Sequence, residues 1–231
     1  MDIRTVSRAV GAVALVAGPL ALAVPIVVTD NEQGAAIDQL NDYAAHSGAA
    51  LLSNLLLIPL MLLVPAMIYA ARVARRRSPA TAFVGGGLAA LGWTAGLISI
   101  GAGQIALYQG SQLPDPSGAA ALIDAVNTDP VYGTLVGMFV IGHLVGMIVL
   151  GIGLWRSRAV PVWAAACFVA YPVLHFVGSA TSPVLDRAAN VLLLISGLVL
   201  AVKVARTPND EWDLPTAGVI EAAHREPAAV A

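Results

Sequence analysis

Residues 133–155 read GTLVGMFVIGHLVGMIVLGIGLW. Not one of them is charged, and the only imidazole is His143. At 1.5 Å rise per residue, such a run makes a helix about 35 Å long, enough to cross a hydrocarbon core of about 30 Å. The run lacks the alternation of polar and apolar residues that a barrel wall requires, so a helix is the reading.

Working outward, five more uncharged or nearly uncharged runs have the needed length: residues 9–28, 48–71, 82–108, 160–181 and 188–205. The last carries Lys203, placed where it snorkels from a helix end. Composition agrees: 58% of the 231 residues are hydrophobic and 11% charged, which excludes an ordinary soluble globule. The expectation is an all-α, polytopic integral membrane helix bundle. It has six transmembrane helices within one domain, residues 1–206, and an acidic, proline-containing and disordered tail, 207–231. The first run follows Arg4 and Arg8 as a signal peptide would, but its twenty apolar residues exceed the usual signal core, so a retained helix is expected.

Charge gives the orientation. Of the twelve lysines and arginines, only Arg187 falls outside one set of connections and termini. Arg72, Arg75, Arg76 and Arg77 crowd the first link of that set, while Asp30, Glu32, Asp38, Asp42, Asp115, Asp124, Asp129 and Asp186 lie on the other side. The positive-inside rule then puts both termini in the cytoplasm of a cell membrane. The basic link reads first as a topology determinant and second as a contact for anionic lipid headgroups. A net charge of −2 with no concentrated basic face gives no reason to expect nucleic acid. One cysteine, Cys167, precludes an intramolecular disulfide and any multi-thiolate metal site.

Two outer connections are longer. Ser117 followed by Ala121, Leu122, Ala125 and Val126 suggests a short interfacial helix ended before Pro130. Ile37, Leu40 and Ala44 suggest that the second membrane helix begins outside the bilayer, with Asp42, His46 and Ser53 on one side of it. Asp186 and Arg187 read as a local ion pair at the rim.

Polar residues within the spans gather in the outer leaflet: His46, Asn54, Gln104, His143, Tyr171, His175, Ser179 and Asn190. Cys167, Tyr171, His175 and Ser179 form an i+4 ladder, and His143 lies about 15 Å from the outer end of its helix. Ionisable groups are costly in a span and face the bundle or water, so these eight residues are the candidate ligand-binding set of an outward-opening pocket. A lone His or Asn that merely bridges two helices is the competing explanation for each.

Three chemistries stay open at this point. Binding or transport of a small molecule leads. Haem or metal ligation by His143 and His175 is a second, although no His-x3-His or His/Glu pairing supports it. Acid–base catalysis by the same histidines is the third, without an accompanying nucleophile motif or paired carboxylates. The alternative ranked directly after binding or transport, ahead of the haem, metal and enzyme readings, is an accessory or structural subunit of a membrane complex, because Gly92-x3-Gly96 and Gly142-x3-Gly146 would suit either packing of the third helix on the fourth or a seam with a homodimer or membrane-protein partner.

Six Ala/Val/Leu/Gly-rich spans, the arginine-rich first cytoplasmic link and scattered single histidines resemble the small uncharacterised multi-pass membrane proteins of bacteria grouped under domains of unknown function. The resemblance covers roughly residues 5–206. It implies a multi-pass fold and carries no catalytic residue with it.

Overall fold

The computed structural model describes residues 2–28 and 34–213, with the side chains of 25–28 excepted. The helices are α1 (Ile3–Val28), α2 (Ala36–Ala45), α3 (Ser47–Leu60), α4 (Leu63–Ala74), α5 (Pro79–Ser111), α6 (Ser117–Asn127), α7 (Pro130–Ile141), α8 (Met147–Ser157), α9 (Val162–Thr181), α10 (Pro183–Arg206) and α11 (Asn209–Trp212). A single π turn, Gly142–Gly146, joins α7 to α8. There is no strand among the described residues.

Six of these units are long and apolar enough to cross a membrane: Ile3–Val24, Ser47–Ala74, Pro79–Ser111, Pro130–Ser157, Val162–Thr181 and Pro183–Arg206. The protein is a six-span helical membrane protein. Its spans form a ring in chain order, each packed on the next, and α1 closes the ring against α10.

Sequence explains the ends and breaks. Pro130 and Pro183 stand at the first turns of α7 and α10, where a missing N–H costs nothing. Asp129 accepts from the N–H groups of Val131 and Tyr132, and Ser182 from Leu185. α8 stops at Arg158, which adopts a left-handed conformation with φ 52°. The second span breaks between α3 and α4, just before Pro65, because proline has no N–H for the carbonyl four residues earlier.

Small residues make up much of the buried core, beside larger ones such as Trp93, Phe168 and Leu150. Ala14, Ala66, Ala70, Ala74, Ala89 and Ala164 are wholly buried, whereas Phe83, Ile58 and Met61 are 83%, 69% and 62% exposed. Small residues inside let helix backbones approach, and large apolar residues face outward toward lipid. The glycines of α5 and the fourth span go furthest. A Cβ on Gly92 would stand 2.5 Å from the backbone nitrogen of His143, and one on Gly146 2.4 Å from that of Ala89. The glycine spacings thus serve packing within the chain.

Three expectations are corrected. α2 is a separate helix, turned from α3 at His46 (φ −117°, ψ 40°), so Asp42, His46 and Ser53 do not share one continuous face. α2 instead packs on α5 and α6 through Leu40 and Ala120, capping that end of the ring. α6, Ser117–Asn127, is the short helix expected to end before Pro130, but its first turn is held by Asp115 and not by a cap at Ser117: the N–H and hydroxyl of Ser117 donate to Asp115 and hold its carboxyl below the usual range.

The tail is the third. Residues 207–213, expected to be disordered, fold onto the basic end. Trp212 is 4% exposed, its ring stacked on Tyr69 at 6.1 Å with the Arg72 guanidinium 4.4 Å from its centroid. Asp213 pairs with Arg4 and Arg72, each at 2.8 Å. Arg8 donates to the Thr207 carbonyl and to Asn209. A tail whose carboxylates and carbonyls meet five helix-end arginines has reason to order, whatever its composition. The remainder of the expected tail, from residue 214, and the outer acids Asp30 and Glu32 lie outside the described residues.

Candidate functional site

The polar end of the ring encloses a cavity of about 310 Å³. Every span contributes to its wall: Ala21 and Leu22 from α1, Ser53 and Leu57 from α3, Trp93 and Gln104 from α5, Phe139 from α7, His175, Phe176 and Ser179 from α9, and Asp186 from α10. Ser53 lies near the start of α3, Gln104 near the end of α5 and Asp186 in the first turn of α10, which places the cavity beneath the α2–α6 cap.

Glycine positions its chemistry. A Cβ on Gly178 would stand 2.4 Å from the backbone nitrogen of Asp186, so only glycine lets the start of α10 approach α9 this closely. That approach brings the Asp186 carboxylate 2.5 Å from Nδ1 of His175. Asp186 therefore engages an imidazole on the neighbouring helix, which corrects the expected pair with Arg187. At 18% and 13% side-chain exposure, the pair is largely shielded from solvent.

Behind the wall lies His143, wholly buried within the π turn. Its ring centroid is 4.6 Å from that of Trp93, 5.0 Å from Phe139, 5.2 Å from Tyr171, 5.5 Å from His175 and 5.3 Å from Phe176. Neither ring nitrogen meets a hydrogen-bond partner. A π turn places one extra residue in a helix, and such turns recur at functional sites. Here the close approach of α5 at Gly92 and Gly142 presses the turn onto Trp93.

Unpaired polar atoms concentrate around this region. Ser53 Oγ, Trp93 Nε1 and Gln104 Oε1 line the cavity or its edge without partners, as do Tyr171 Oη and Asn190 Oδ1 beside it. Each such buried group costs about 1–3 kcal/mol when left unmade. Water or a ligand that paired with them would recover that cost. Among the residues of the wall they include a donor on Trp93 and an acceptor on Gln104, so both kinds of group stand at the cavity.

The structure brings together six of the eight residues expected from sequence: Gln104, His175 and Ser179 in the wall, and His143, Tyr171 and Asn190 directly behind it. Ser179 spends its hydroxyl on the carbonyl of Phe176, and Asn190 donates to that of Asp186. Two residues stand apart. His46 is exposed at the α2–α3 turn and bonds Asp42, and Asn54 donates to Ala50 within its own helix. Sequence reasoning passed over Trp93, Phe139, Phe176 and Asp186 as site residues. The three aromatics carry no polar pattern, although an indole N–H within a glycine-rich span is a signal in retrospect.

The haem expectation finds no support in this geometry. Five rings enclose His143 and leave no face of it open to a macrocycle. No three His, Cys, Asp or Glu side chains gather to hold a metal ion among the described residues. The chain matches no family model, no curated protein and no solved structure.

Proposed function

We propose that the protein binds a small molecule in the 310 Å³ cavity, as a receptor or transporter, from the non-cytoplasmic side of the cell membrane. One observation carries this reading: three of the residues that line the cavity, Ser53, Trp93 and Gln104, each hold a buried polar atom without a partner, and the rest of the wall is mostly leucine, alanine and phenylalanine beside the His175–Asp186 pair and Ser179. An apolar pocket with a few convergent polar groups is how small-molecule sites are built. The fitting ligand has an apolar body and a hydroxyl, amine or amide group. Basic residues at the opposite end of the ring support the orientation, with both termini cytoplasmic.

The test is thermal unfolding of the detergent-purified protein against a panel of small amphiphilic alcohols, amines and amides. A ligand at a hundred times its Kd stabilises by about 2.7 kcal/mol, a readily measured shift. Gln104→Leu with Ser53→Ala should abolish the shift. If no compound stabilises the protein, or if the hits are indifferent to both substitutions, the reading falls.

A further inference from the structure

We infer that a second pocket, at the basic end of the ring, binds a phosphate group. The pocket is small, about 80 Å³, and Arg72, Arg75, Arg76 and Lys203 line it against a single carboxylate, that of Glu211. Thr207 and Trp212 complete the wall. Arg72 closes the last turn of α4, and Lys203 stands in the last turn of α10. Two spans that flank α1 therefore end in cations at one level, the level where lipid phosphates lie.

The folded tail shows what these cations seek. Arg75 donates to the Trp212 carbonyl, Arg76 to the carbonyls of Glu211 and Asp213, and Arg72 to the Asp213 carboxylate. Asp213 bridges Arg72 and Arg4 as a phosphate oxygen would. The supply still falls short of the demand. Most acceptors are uncharged carbonyls, and Arg72 Nε is buried with no partner. Burial, with Arg72 and Arg76 nearby, lowers the Arg75 pKa, as expected where cations outnumber anions. A tetrahedral anion supplies several acceptor oxygens and charge in one step, and arginine's planar fork matches it. The phosphate could belong to an anionic lipid headgroup or to a free phosphorylated molecule. The chemistry of recognition is the same.

The full-length protein in dodecyl maltoside is titrated with phosphatidylglycerol, with phosphatidylcholine and with inorganic phosphate. Native mass spectrometry counts retained lipid, and the unfolding temperature reports each titration. Phosphatidylglycerol acting alone assigns the site to lipid; inorganic phosphate acting alone assigns it to a free phosphorylated molecule; either result, or both together, upholds the site. Lys203→Gln should weaken binding about five-fold and the Arg75→Gln, Arg76→Gln double variant about 25-fold, at about 1 kcal/mol per cation. Lys203 is exposed, so its variant carries the test should the double variant misfold. Arg158→Gln, at the same end but outside the pocket, should leave binding unchanged. The inference is overturned if neither probe binds, if Lys203→Gln has no effect, or if Arg158→Gln costs as much as Lys203→Gln.

Discussion

The two ends of the ring handle buried polarity in opposite ways. At the basic end, guanidinium groups meet carbonyls and carboxylates of a folded tail, and an indole ring lies beneath them. At the other end, one tight pair, His175 with Asp186, sits among polar atoms that meet nothing. The first end is largely joined, with Arg8 Nε and Arg72 Nε left over, and the second keeps more of its polar atoms unmatched. The contrast is one of chemistry: cations meet carbonyls and a carboxylate at one end, while mostly uncharged groups are left unmatched at the other.

The comparison can be broken first at the glycines that shape the cavity end. Gly92→Val should cost about 3 kcal/mol or more, because backbone at His143 and Gly142 occupies the space and cannot rotate away. Gly87→Ala, where nothing lies within 4 Å, should be neutral or stabilising by up to about 1 kcal/mol. Thermal unfolding in detergent distinguishes them, and equal effects would mean that the close contact of α5 with the π turn does not exist.

At the basic end, Trp212→Ala should cost about 2–3 kcal/mol through lost burial and ring contacts with Tyr69 and Arg72. Trypsin cutting after Arg206 should accelerate accordingly. An unchanged cutting rate would return the tail to the disorder expected from its composition.

The smallest effect sharpens the comparison most. Asp186→Asn should cost about 1–2 kcal/mol by weakening the acceptor of His175. Combined with Trp212→Ala, the two costs should add to within about 0.5 kcal/mol, as for distant sites. A larger coupling in the unfolding free energies would mean that the ends communicate through the ring.

The spans were legible because the bilayer imposes a length and excludes charge, and few sequences meet both demands by accident. The i+4 ladder of Tyr171, His175 and Ser179 was legible for a similar reason, since a helix of known axis fixes its faces. Asp186 was misread because sequence adjacency is a poor guide on a helix. Neighbours i and i+1 point about 100° apart, so Asp186 faces α9 whatever Arg187 does. Trp212 was hidden because its partners Arg72 and Tyr69 lie some 140 positions earlier in the chain. Nor does apolar periodicity reveal the ring's closure of α1 on α10, since a long apolar run does not name the helix it packs against.

The π turn at Gly142–Gly146 has an evolutionary consequence. A π turn is an α-helix with one residue added, so α7 and α8 are out of phase by about 100°. Losing one residue there would restore a regular helix and swing Phe139 out of the cavity wall, while leaving α8 seated on α5 and α9. In this fold a lineage could therefore lose the Phe139 side of its cavity by deletion of a single codon inside a membrane span, a place where length changes are ordinarily discounted when descent is traced.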